Sequence, residues 1–130
     1  MVSIDMEKTH TQFALEVPVL IKAAIEEKNV APLLAHLAPG ALVWHNSDRQ
    51  EADAALSFSA VAQSPMRFAI DQRRIIATPE AVAIQFVMNI AMEPPLNLHC
   101  CMVVSLDGET ITRIDEYLDP AAAAASSERP

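Results

Sequence analysis

The chain has 130 residues, 52% of them hydrophobic, with nine Lys and Arg against seventeen Asp and Glu for a formal charge of −8. Its acidity, with no basic patch, excludes nucleic-acid binding as a main function. A chain of this length buries roughly two thirds of its unfolded surface, enough for a core without metal or disulfide staples, and one domain over residues 1–120 is expected.

The first third reads helical: "HTQFALEVPVLIKAAIEEKNV" puts Phe13, Val17, Leu20, Ile21, Ala24 and Ile25 on one stripe. Pro18 is expected to start or kink that helix. A second helix, "VAPLLAHLA", is expected to end at Pro39-Gly40. "ALVWHNSD" reads as a strand with Leu42, Trp44 and Asn46 on one face. Residues 50–62, "QEADAALSFSAVA", read as a helix with acids near its front. Four strands follow: "MRFAIDQRRIIAT", "AVAIQFVMNIAM", "LNLHCCMVVSL" closed by Asp107-Gly108, and "TITRIDEYLD". The tail 121–130 is low-complexity and expected to fray. Helices in front and strands joined by short turns predict an α+β fold with a curved antiparallel sheet.

Cys100 and Cys101 are adjacent, so in a strand they face apart. With no spaced partners they read as small apolar fillers in a reduced compartment, not as a metal site. Met66, Met88, Met92 and Met102 read as core filler. No apolar run of about 18 residues and no charged-then-apolar leader is present, so no membrane partner and a cytoplasmic location are expected.

The last strand places Thr112, Ile114, Glu116 and Leu118 on one face and Arg113, Asp115, Tyr117 and Asp119 on the other. Ile114 and Leu118 mark the first face as interior, and a carboxylate held there has its pKa raised by desolvation. If the faces are reversed, Asp115, Tyr117 and Arg113 form the site instead. A structural alternative for Glu116 is pairing with an arginine such as Arg73.

The order of elements, the "VWHN" strand and the closing "DGETITRIDEYLDP" resemble SnoaL-like members of the nuclear transport factor 2-like superfamily over roughly residues 8–120. That superfamily includes ketosteroid isomerase, limonene epoxide hydrolase, scytalone dehydratase and polyketide cyclases. The resemblance implies a cone, a curved sheet wrapped on helices around an apolar pocket, and a homodimer paired through the sheet's outer face. It places Glu116 at the base position of the epoxide hydrolase and matches Trp44-His45-Asn46 to its water-holding Tyr-x-Asn. It therefore implies that Glu116 and Asn46 are catalytic and that Trp44 forms a pocket wall. On the strand pattern, Ile114 and Leu118 share the face of Glu116 and His99, next to Cys100, reaches the cavity, so these three are expected as further ligand contacts. His45, out of phase with Trp44, is expected outside. The hydrolase's Arg-x-Asp relay has no counterpart, since the matching stretch offers Gln85 and Val87; epoxide hydrolysis by that relay is not expected. The expected function is a pocket for a small hydrophobic ligand, with cofactor-independent cyclase, isomerase or hydratase chemistry at Glu116. The alternative is a non-catalytic binding or interaction module of the same fold. No metal or organic cofactor is implied, since the sequence has no ligand cluster or phosphate loop.

Overall fold

Phe13, Ala14, Val17, Ile21, Ala24 and Ile25 recur every three or four positions. In the computed structural model, which describes residues 4–119, all six are buried on one face of helix α1, Ile4–Glu26. Pro18 neither starts nor ends this helix. It lies mid-helix and fully buried, and its carbonyl accepts a hydrogen bond from Gln72 Nε2 at 2.8 Å.

Helix α2 is a single turn, Ala31–Leu34, and strand β1 already runs over Leu37–His45. Pro39-Gly40 is thus inside a strand, not a helix stop. Gly40 takes φ +76°, and the pairing register of β1 slips between Leu37 and Leu42. The backbone freedom of glycine accommodates a bulge there. Residues Gln50–Asp53 form strand β2, and helix α3 covers only Ala54–Gln63. The expected helix from residue 50 is delayed because Asp53 caps it. Asp53 has extended backbone, and its Oδ2 accepts the Leu56 amide at 2.9 Å.

Strands β3 (Phe68–Ala77), β4 (Ala81–Ile90), β5 (Leu96–Asp107) and β6 (Thr110–Leu118) follow as the alternation indicates. Gly108, at φ +60°, turns the chain from β5 into β6. The sheet is curved and unclosed, in the order β2-β1-β6-β5-β4-β3, giving the α+β architecture. Every neighbouring pair is antiparallel except β1 and β6, which run parallel.

The core lies between the helices and the sheet's inner face. Along β5, Leu96, Leu98, Cys100, Met102, Val104 and Leu106 are buried while the residues between them are partly or fully exposed. Among the described residues no helix is long and apolar enough to cross a membrane. The 121–130 tail lies outside the described residues.

Candidate active site

Strand β6 changes phase once. Leu106 pairs with Ile111 and Ser105 with Arg113, so Thr112 has no partner across the ladder. Thr112 is exposed rather than interior, with its hydroxyl on the Ser105 carbonyl at 3.2 Å. This bulge lets both Ile111 and Ile114 be completely buried. Beyond it, Glu116 shares the inner face with Ile114 and Leu118.

In-register residues on neighbouring strands point to the same side of the sheet. His45 is the register partner of Glu116, and Trp44 that of Asp115. His45 and Glu116 therefore face inward together, and Trp44 faces outward with Asp115. The two inward residues line a cavity of about 140 Å³. Its apolar walls are Ile25 of α1, Phe58 and Val61 of α3, and Val43, Phe68 and Met88 of the sheet. Ser57 of α3 adds a hydroxyl.

Glu116 is partly exposed, and the cavity it lines gives its carboxyl group an opening. No side chain among the described residues hydrogen-bonds it or pairs with it at ion-pair distance. Burial pushes its pKa up, and attraction to His45 partly opposes that rise. The same carboxylate helps hold the Cys100 thiol at a pKa of about 12, where burial is the main cause.

Asn46 has a different task from holding water. Its Nδ2 donates to the Leu118 carbonyl at 3.0 Å, and its Oδ1 accepts the Leu118 amide at 2.9 Å. Its own amide donates to the Glu116 carbonyl at 3.1 Å. The side chain extends the β1–β6 ladder by imitating a peptide group, and both of its polar ends point at backbone. Asn46 is therefore a positioning residue that clamps the strand carrying Glu116. Asn46→Ala is expected to cost about 2 kcal/mol, because it leaves the Leu118 amide and carbonyl without these partners. A urea titration at fixed pH measures this.

The other candidates separate. Trp44 is not a pocket wall: it packs edge-on against exposed Tyr117 on the outer face, with ring centroids 5.4 Å apart. His99 is exposed on that same face, opposite Val87. It lines an outer groove with Arg73, Gln85 and Tyr117. Ile114 is fully buried core beneath the cavity and does not reach its surface; Leu118 packs against the core and also lies off the cavity. Asp115 is bound by Arg113 Nε at 3.0 Å, and Arg113 also reaches Glu51 at 3.5 Å, so the acid-Tyr-Arg set is an outer-face ion cluster. Arg73 pairs with Asp71 at 2.6 Å, not with Glu116. On β4 the inward residues are Val82, Ile84, Phe86, Met88 and Ile90, none of them charged, while Gln85 faces away.

His45, Ser57, Phe58 and Phe68 were not indicated by sequence reasoning. His45 had a usable signal, since it follows from Glu116 once β1 and β6 are paired in parallel. Ser57 and Phe58 had none beyond a helical stripe.

No protein-family model matches the sequence, and neither does any curated protein. Solved structures do match. An LEH-like epoxide hydrolase from M. tuberculosis superposes with a TM-score of 0.72 at 18% identity, over 88% of this chain and 89% of that one. A polyketide cyclase, so described provisionally, from Xanthomonas campestris pv. campestris gives 0.74 at 16%, over 89% and 97%. A protein with a ketosteroid isomerase-like fold from Catenulispora acidiphila, in complex with trimethylamine, gives 0.72 at 16%, over 88% and 94%. The chain has the nuclear transport factor 2-like fold that these proteins share.

Proposed function

We propose that this chain, built on the nuclear transport factor 2-like fold, binds one small and largely apolar molecule in its cavity and moves a proton on it with Glu116. One observation carries the reading. A carboxyl group with a raised pKa, and with no side-chain hydrogen-bond partner among the described residues, opens into a mostly apolar cavity that His45 and Ser57 share. An unpartnered carboxyl group in such surroundings fits general acid or base work near neutral pH. His45, its register partner, lies close enough to favour the charged form when the carboxyl group ionises. Proton transfer at carbon is the step shared by isomerisation, cyclisation and dehydration, and a neighbour described provisionally as a polyketide cyclase has the same fold.

Size narrows the ligand. A cavity of about 140 Å³ is close to the ~150 Å³ apolar cavity that accepts benzene in a protein core. A single ring fits that space, and a steroid or tetracyclic polyketide does not. The neighbour in complex with trimethylamine is consistent with a ligand of this scale.

The test incubates the protein in D₂O with small cyclic ketones and follows deuterium entering the carbon beside the carbonyl. Enzyme-dependent exchange with single-ring ketones, and none with steroids, is expected. A second reading, binding without chemistry, draws on the uncharged inner face of β4. Ligands that raise Tm but take up no deuterium establish that reading instead.

A further inference from the structure

Lys28 stands where a helix normally ends on glycine. It follows α1 with φ +60°, and the Asn29 amide returns to the Ala23 carbonyl at 3.2 Å. A lysine in the left-handed region carries a steric cost that glycine avoids. Its side chain shows the compensation. Nζ donates to the carbonyls of Val61 at 2.9 Å, Ser64 at 3.1 Å and Met66 at 2.6 Å. An ammonium has three N–H donors, and all three are used. The same Nζ lies 4.8 Å from the centroid of the Phe68 ring.

The three carbonyls belong to the C-terminal end of α3 and the segment that leads into β3. Val61 and Phe68, at the two ends of that segment, both line the cavity, and Ile25, three residues before Lys28, is a third part of the lining. Helix α3 packs on β1, β2 and α1, with little direct packing on β3. The Lys28 ammonium thus brings α3 into a polar tie with the end of α1 and the approach to β3, beside the bonds that Lys22 and Glu26 make to the Ile70 backbone.

We propose that Lys28 sets the bore of the cavity, and so the upper size of ligand it admits, by holding Val61 and Phe68 at fixed separation around its ammonium. This rests on the cavity being the ligand site. Lys28 is a positioning residue, for it touches the walls and not the cavity. The site it fills is an ammonium cage of three carbonyls and one ring face. Arginine cannot replace it, because a planar guanidinium does not direct three donors at converging carbonyls.

The experiment compares wild type with Lys28→Met, Lys28→Ala and Lys28→Arg. The first readout is amide exchange at Ser64 and Met66, whose amides bond the Val61 carbonyl and the Ser64 hydroxyl. Exchange about tenfold faster is expected in all three variants, as the segment loses its charge-assisted bonds. Methylammonium is expected to slow it again in Lys28→Ala alone, where the cage is empty and open. The second readout is the longest 4-alkylcyclohexanone that raises Tm, expected to be longer in Lys28→Met than in wild type. Unchanged exchange and an unchanged size limit overturn the proposal. If wild type binds no member of the series, the ligand-site reading falls, and the exchange and methylammonium results alone decide whether Lys28 holds the walls.

Discussion

Glu116→Gln is expected to lose deuterium exchange by a factor of about 10² to 10⁴, the usual contribution of one positioned acid or base, while melting higher than wild type near pH 7. The second half follows from the direction of the pKa shift. In the unfolded chain the carboxyl group titrates at about 4.5, and in the folded chain its pKa is raised by burial. Between those two values the folded state holds a proton that the unfolded state has released, so stability falls as pH rises through that window. Above it the cost of the buried charge is present in full. Glutamine has no proton to lose and is free of that cost. The gain is expected to be on the order of 1 kcal/mol, a few degrees in Tm. Near pH 4 both side chains are neutral and the two proteins should melt together.

The pH dependence separates this from a packing effect. Glutamine that merely fits the cavity better stabilises equally at both pH values. A variant that melts lower at neutral pH shows that the Glu116 carboxylate is favourable where it sits, and the acid-base reading then loses its support.

Much of the fold is written in short-range pattern. The stripe on α1 and the alternation on β5 show their buried faces directly. What sequence pattern does not show is the parallel pairing of β1 with β6, because those strands lie some seventy positions apart and no turn fixes their register. That pairing decides the site. On β6 the alternation of Ile114, Glu116 and Leu118 marks an inner face. On β1 both faces are apolar, with Ala41 and Val43 on one side and Leu42 and Trp44 on the other. The larger side chains suggest the wrong side as interior, since outward Trp44 finds Tyr117 for cover. With Glu116 inside, the register requires His45 inside and Trp44 outside. Asn46 escaped for a related reason: an asparagine used as a surrogate peptide unit is identical in sequence to one used to hold water. The bulge at Thr112 and the strand before α3 depend on hydrogen bonds that hydrophobic period does not encode.

Phe58→Ala is expected to have the largest effect on stability, a loss of about 3–5 kcal/mol. Phe58 is 6% exposed and belongs to both the core and the cavity wall. Removing its ring takes dispersion contacts from neighbours that cannot collapse into the gap, because the sheet behind them is hydrogen-bonded along its length. That loss is a large part of the 5–15 kcal/mol that holds a typical domain folded. It also converts a 140 Å³ cavity into one larger by an aromatic ring. Benzene or cyclohexanone in excess is therefore expected to restore part of the Tm of the variant, and to raise it more than it raises that of wild type. The enlarged cavity should bind a bulkier ketone yet exchange it with deuterium more slowly, since a loosely held substrate is rarely aligned with Glu116. The contrast with Lys28→Met is sharp. Phe58→Ala widens the cavity by deleting wall and should leave amide exchange at Ser64 and Met66 near wild type. Lys28→Met keeps every wall atom and releases the walls from one another. If Phe58→Ala accepts no larger ligand and gains nothing from benzene, the cavity between α3 and the sheet has collapsed in solution, and Glu116 has no enclosed space in which to act.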